Sequence, residues 1–191
     1  MVATPIGNLE DITLRALRVL KEADLIAAED TRHSRILLSA YKIKTPLISL
    51  HEHNEKERSA LIISRIKGGM NVAYISDAGT PCISDPGSHL VSFALENKIS
   101  VIPVPGPSAL IAALCVCGFP VDQFLFCGFL PPKEKKRRQF LESIQAEEKT
   151  MVFYESPSRI ADMLQAVCDV LGDRQIVIAR ELTKVFEEIK R

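Results

Sequence analysis

Short apolar runs alternate with amphipathic stretches along almost the whole chain, and this alternation limits the fold more than any other feature. Residues 25–28, 47–50, 71–76, 100–104, 124–128, 150–154 and 175–179 read as strands. Between them, residues 12–22, 31–41, 55–67, 88–96, 108–117, 133–145 and 158–171 read as helices. In the last of these, Ile160, Met163, Leu164, Val167, Cys168 and Leu171 recur at helical spacing on one face. Pro157 suits its first turn and Gly172 its end. Strand alternating with helix predicts an α/β architecture with largely parallel sheets and right-handed crossovers. Gly118 and Pro120 mark a boundary, giving a first α/β lobe at 1–118 and a second at 119–191. Both ends are abrupt, so the second lobe is expected to be incomplete.

A chain of 191 residues, 47% hydrophobic and 25% charged, has the proportions of a globular protein and is long enough for one domain or two small ones. At this length folding buries roughly 70% of the unfolded surface, so no staple is needed. Lys plus Arg equals 24 and so does Asp plus Glu; residues 1–118 and 119–191 each carry twelve of either sign. Any grip on nucleic acid must therefore come from a local basic surface. The cysteines (Cys82, Cys115, Cys117, Cys127, Cys168) are odd in number and irregularly spaced, which predicts reduced, buried thiols in an intracellular protein. No signal peptide is legible. Residues 99–121 lack charge, but Pro103, Pro105, Gly106, Pro107, Gly118 and Pro120 interrupt them, which favours a buried strand, turn and helix over a membrane span.

Neither a G-x-G-x-x-G nor a P-loop pattern occurs. Instead, turns rich in Gly and Pro follow the apolar runs: Thr4-Pro5-Ile6-Gly7-Asn8, the 76–81 turn continuing to Gly87, and Pro105-Gly106-Pro107-Ser108. All would emerge at carboxyl ends of parallel strands, where α/β sheets bind ligands. Proline supplies no N–H, so such turns suit a neutral or cationic ligand held by carbonyls better than a polyphosphate. Glu29, Asp30, Asp77 and Asp85 lie near them and can bind Mg²⁺ or act as a general base; N-capping by Asp30 or Thr31, and by Asp11, is the plainer reading. Arg32 and Arg35, about one turn apart, can hold a nucleic-acid phosphate or simply be solvated. His51-Glu52-His53 places two imidazoles on one face of a strand end, without a third metal ligand in register. Cys115 and Cys117 read as packing. Lys133, Lys135, Lys136, Arg137 and Arg138 form the one strong charge cluster. Positive charge at a helix start opposes the dipole, so helix stability does not explain the cluster, and a phosphate-backbone contact competes with a solvated face.

Several segments together carry a family resemblance. They are Val-Ala-Thr-Pro-Ile-Gly-Asn-Leu-Glu-Asp-Ile-Thr at 2–13, Ala-Glu-Asp-Thr-Arg at 28–32, and Ser-Asp-Ala-Gly-Thr-Pro at 76–81 with Ile-Ser-Asp-Pro-Gly at 83–87. Val-Pro-Gly-Pro-Ser-Ala at 104–109 and Phe-Tyr-Glu-Ser-Pro at 153–157 complete the set. In this order they resemble the tetrapyrrole-methylase superfamily and, more narrowly, the ribosomal RNA small subunit methyltransferase I family. The resemblance implies a two-lobed tetrapyrrole-methylase-like α/β fold, with a largely parallel sheet in the first lobe and a mixed sheet in the second. It implies a cytoplasmic homodimer, not bound to membrane, that uses S-adenosyl-L-methionine. The substrate it implies is the ribose 2′-hydroxyl of a decoding-centre cytidine in bacterial small-subunit ribosomal RNA, as free RNA or assembled subunit.

Carried over by position, the resemblance puts Pro5, Gly7, Ser76, Asp77, Ala78, Gly79, Thr80 and Pro81 at the cofactor cleft. Pro105, Gly106, Ser108, Ala109, Tyr154, Glu155, Arg180, Glu181 and Leu182 join them. Asp30 is the expected base and Arg32 orients the substrate phosphate; Arg35, Lys133, Lys135, Lys136, Arg137 and Arg138 are the expected RNA contacts, and no metal is expected. The family pattern has a longer opening strand and a further stretch after Lys190. Three other readings stay open: methylation of a tetrapyrrole carbon, a Mg²⁺-dependent phosphohydrolase using Asp77 and Asp85, and an RNA-binding or dimerising module without turnover.

Overall fold

The computed structural model describes residues 1–191. A 3₁₀ turn at Leu9–Asp11 precedes α1 (Leu14–Glu22), β1 (Leu25–Ala28), α2 (Thr31–Ala40), β2 (Leu47–Ser49), α3 (Glu55–Lys67), β3 (Val72–Ile75) and α4 (Ser88–Glu96). Then come α5 (Ala109–Cys117), β4 (Phe124–Phe129), α6 (Glu134–Ser143), β5 (Thr150–Tyr154), α7 (Ile160–Leu171), β6 (Ile178–Arg180) and β7 (Glu188–Lys190). The chain forms two compact units, Met1–Ala109 with Glu181–Phe186, and Leu110–Arg180 with Glu187–Arg191.

In the first unit β1 is the middle strand of a parallel sheet ordered β2-β1-β3. All four β1 residues are buried, as expected for a strand covered on both faces. Side chains alternate across the sheet: Ile26 and Ala28 pack with Ala16, Leu20, Leu37 and Leu38, whereas Ala27 packs with Ile62, Tyr74 and Leu90. Thus α1 and α2 cover one face, and α3 and α4 the other. Thr13 caps α1 by accepting from Ala16 N–H at 3.0 Å, so the expected cap Asp11 does not serve. The strand expected at 100–104 shrinks to a single parallel bridge between Val104 and Val2, because Pro103 and Pro105 remove the flanking donors.

In the second unit β4 and β5 pair in parallel, with a register shift between Phe126 and Gly128, and β6 and β7 pair antiparallel. Both pairings of the expected mixed sheet are present, but in separate two-stranded sheets. Leu141 of α6 and Met163, Ala166, Val167 and Leu171 of α7 form one core. Leu110, Leu114 and Cys117 of α5 pack with Phe119, Phe126, Val152 and Tyr154, which draws α5 into this unit instead of leaving it before a division at 118. The five thiols are free, but only Cys117 is buried; Cys115 and Cys168 are exposed, because each falls on the outer face of its helix. No helix is long and apolar enough to cross a membrane.

Candidate functional site

The turns singled out in the sequence meet at one rim of the first unit. Val2 N–H donates to the Tyr74 carbonyl at 2.9 Å and Ala3 N–H to the Val104 carbonyl at 3.1 Å, so the opening residues sit between the ends of β3 and the 102–104 segment. One residue on, Thr4 and Gly79 exchange backbone hydrogen bonds at 2.9 and 3.0 Å. Thr80 Oγ1 donates to the Pro107 carbonyl at 3.0 Å, tying the second turn to the third. Glycine relieves crowding at two of these positions. Gly79 has φ +79°, and a methyl there would lie 3.2 Å from Ile6 Cγ2. At Gly106 a methyl would stand 3.0 Å from Ala3 Cβ, so the third turn packs tightly on the residue just before the first.

Bonds between the turns use some of the rim's backbone groups, including the Thr4, Gly79 and Pro107 carbonyls. Pro5, Pro81, Pro105 and Pro107 have no N–H, and those of Thr4 and Gly79 are spent on each other. Glu29, Asp77 and Asp85 follow the ends of β1 and β3 beside it, and their negative charge favours a cationic or neutral ligand over a polyphosphate. Leu182 and Thr183 border the same turn: Thr183 Oγ1 accepts from Asn8 N–H at 3.1 Å, and the Leu182 carbonyl lies beside Gly7. Glu181 pairs with Lys184 at 3.0 Å.

Carboxylates follow the carboxyl ends of β1 and β3, in unlike environments. Asp77 N–H donates to Glu29 Oε2 at 3.4 Å, and Asp77 Oδ1 accepts from Asp30 N–H at 2.9 Å. Burial, then the nearby Asp77, pushes the Glu29 carboxyl up. Burial also raises Asp85, partly offset by a hydrogen bond from Ser76. Asp30 goes the other way. It caps α2 by accepting from Arg32 N–H at 2.8 Å, and the Arg32 guanidinium grips it at 2.8 to 3.2 Å. Those bonds hold its carboxyl well below the usual carboxylate range. The expected base is therefore a helix cap with little basicity, and the expected phosphate-orienting Arg32 is engaged by that cap. Glu29 has the more basic oxygen. In the sequence Glu29 and Asp30 are an adjacent pair at a strand end, and only burial and the Arg32 contact distinguish them.

In the second unit Tyr154 closes β5, its hydroxyl accepting from Leu110 N–H at 3.1 Å and its ring 5.0 Å from that of Phe126. Glu155 is a buried carboxylate, 4% exposed, paired with Arg159 at 2.5 Å and accepting from Ser156 N–H at 2.7 Å. Arg159 was missed, although an oppositely charged residue four positions along was legible. Arg180 is held by Glu188 across β6 and β7.

The basic cluster divides. Lys133, Lys135 and Lys136 are exposed, as is Arg35 in the first unit. Arg138 is taken by Asp169 at 2.5 Å and Glu134 at 3.3 Å. Arg137 is buried. The histidines expected on a strand fall in the turn between β2 and α3, because β2 ends at Ser49. There Asn54 Nδ2 lies 3.0 Å from His51 Nε2. No group of three or more His, Cys, Asp or Glu side chains is placed to hold a metal ion.

A family model of tetrapyrrole (corrin/porphyrin) methylases matches residues 1–191. Among curated proteins, the ribosomal RNA small subunit methyltransferase I of Pseudomonas aeruginosa is 56% identical over 191 residues, covering 100% of this chain and 68% of that protein. This chain belongs to that family. The Haemophilus influenzae member is 55% identical over 99% of this chain and 67% of its own length. The Thermotoga maritima member is 51% identical over 100% and 86%. The chain thus spans about two thirds of the length of the first two relatives. Solved structures share the fold at low identity. Diphthine synthase aligns with TM-score 0.75 at 16% identity, over 99% of this chain and 79% of that one. A cobalt precorrin-4 methyltransferase aligns with TM-score 0.71 at 16%, over 99% and 82%.

Proposed function

We propose that this chain transfers the methyl group of S-adenosylmethionine to the ribose 2′-hydroxyl of a decoding-centre cytidine in small-subunit ribosomal RNA. Relatives identical at more than half of the aligned positions carry the name ribosomal RNA small subunit methyltransferase I. The observation that carries the reading to particular residues is the convergence of the 4–8, 76–81 and 105–108 turns on one rim.

When bound, S-adenosylmethionine supplies an electrophilic methyl group on a sulfonium whose positive charge vanishes on transfer. The chain's part is to hold donor and acceptor in line, and positioning of this kind can account for several kcal/mol of barrier. Backbone groups of the 76–81 and 105–108 turns would hold the adenosine and the methionine portion. Glu29, Asp77 and Asp85 make the rim electronegative, which favours a cation. A ribose hydroxyl is a weak acid, so Glu29, whose carboxyl burial makes more basic, accepts its proton. Asp30 and Arg32 keep the start of α2 in place beside it. By the family resemblance Ala109, Glu181 and Leu182 are cofactor contacts of the first unit, and Tyr154, Glu155 and Arg180 are cofactor contacts carried by the second. Lys133, Lys135, Lys136 and Arg35 meet the RNA backbone. A homodimer acting in the cytoplasm on the assembled subunit belongs to the same proposal.

Incubation with methyl-labelled S-adenosylmethionine and small subunits, free 16S-type RNA or a porphyrinoid tests it. Label in RNA, lost when the target ribose carries 2′-deoxy, is the expected result. Label only in the porphyrinoid would replace the RNA reading with carbon methylation. Sedimentation gives the oligomeric state.

A further inference from the structure

Arg137 is buried, 7% exposed, and unlike the buried Glu155 carboxylate it has no partner of opposite charge. It lies on the face of α6 that enters the core, one turn before the fully buried Leu141. Its side chain makes no ion pair and no hydrogen bond; Nε is sealed and unpaired, while the terminal nitrogens keep a path to solvent. A buried guanidinium without a counter-charge is costly, and native chains seldom leave one so. Glu134 of the same helix and Asp169 of α7 are both taken by Arg138.

The turn before it is also unsatisfied. Lys133, the N-cap of this ten-residue helix, makes no side-chain cap, so the first-turn N–H groups have no acceptor from it. Helical side chains lean toward the helix start, which carries the Arg137 guanidinium back over that turn. Lys133, Lys135 and Lys136 add exposed positive charge there. Fork-shaped donors, free N–H groups and the positive end of a helix together match a tetrahedral anion.

We propose that Arg137 and the uncapped first turn of α6 form a discrete site for one phosphodiester group of the RNA substrate. The site rests on the RNA reading above and refines it: the anchoring contact is the recessed Arg137, whereas Arg138 is spent on holding α6 to α7. The lysines supply the screened, less specific part of the attraction.

Titration of the full chain with inorganic phosphate, and separately with a single-stranded RNA oligonucleotide, tests this through the ¹H–¹⁵N signal of Arg137 Nε. Both ligands should move it, RNA at lower concentration. Arg137→Met should weaken RNA binding about tenfold and lower the slope of log K against log salt by about 0.7. Lys21→Met, which removes one charge from α1, should not. Without anions Arg137→Met should melt at or above the wild-type temperature, since it removes an uncompensated charge. A much lower melting temperature, an unmoved Nε signal, or an unchanged salt slope would each overturn the site. A signal moved by phosphate that RNA cannot displace would assign the site to a free anion and overturn the RNA assignment. Unaltered methyl transfer to RNA alongside any of these failures would leave the methyltransferase reading standing, while absence of transfer in the wild type would remove that reading alone.

Discussion

Glu29 and Asp77 lock the carboxyl ends of two neighbouring strands together: Asp77 gives its N–H to the Glu29 carboxylate at 3.4 Å, while its own carboxylate takes the Asp30 N–H at 2.9 Å. The arrangement fixes a half-buried carboxyl beside another carboxylate, which makes Glu29 harder to ionise.

Two consequences concern pH. As a base, Glu29 acts when ionised, so methyl transfer should rise with pH through a value above that of an ordinary glutamate. Glu29→Gln should abolish this limb and lower the rate roughly 10²- to 10⁴-fold. For stability the sign is opposite. A raised folded value means stability that is full at pH below the ordinary glutamate range and declines as pH rises through the raised value. Glu29→Gln should therefore melt above wild type at pH 7 and level with it near pH 3, as read by calorimetry. Equal melting temperatures at pH 7 would contradict this.

Asp30 makes the contrasting case. Its folded value is depressed by Arg32, so its contribution is present at neutral pH and fades as pH falls below the usual carboxylate range. Asp30→Ala should lower the melting temperature at pH 7 through loss of the α2 cap, and the gap should narrow steadily on acidification toward pH 2. A constant gap would mean that charge plays no part.

Much of this was legible beforehand, for identifiable reasons. The 55–67 and 88–96 helices and the 25–28 and 150–154 strands have the bounds that the sequence predicts, because polar or glycine residues flank each apolar or amphipathic run. The meeting of the three turns is expected from their position after apolar runs, at carboxyl ends of parallel strands. What was missed depends on neighbours distant in sequence. Periodicity marks 100–104 as apolar but does not show that prolines on either side of Val104 leave one donor for a partner. Composition marks residues 133–138 as basic, yet only packing against α7 sends Arg137 inward and Arg138 to Asp169. The choice between Glu29 and Asp30 is likewise a matter of burial and of Arg32.

The Glu155–Arg159 pair offers a test of the second unit. Removing Arg159 would leave a carboxylate only 4% exposed without its counter-charge. Arg159→Met should cost about 3 kcal/mol in urea unfolding, and Glu155→Gln in the same background should recover part of it. Additive losses from the two changes would show that the charges do not interact.

Glycine substitutions separate backbone strain from crowding at the rim. Gly118 has φ +78° with open space around it, whereas Gly79 has φ +79° with Ile6 against it. Gly118→Ala should cost about 1 kcal/mol, the left-handed penalty alone. Gly79→Ala should cost more and also weaken S-adenosylmethionine binding, measured by calorimetry. Identical losses, with donor affinity intact, would remove the case for a tight rim.

The central claim is that the 4–8, 76–81 and 105–108 turns enclose the methyl donor. Amide ¹H–¹⁵N shifts of the full chain, followed during titration with S-adenosylmethionine, test it most directly. The account predicts saturable shifts concentrated at Gly7, Asp77, Ala78, Thr80, Gly106 and Ser108. Saturable shifts that spare all of these and cluster elsewhere would contradict it.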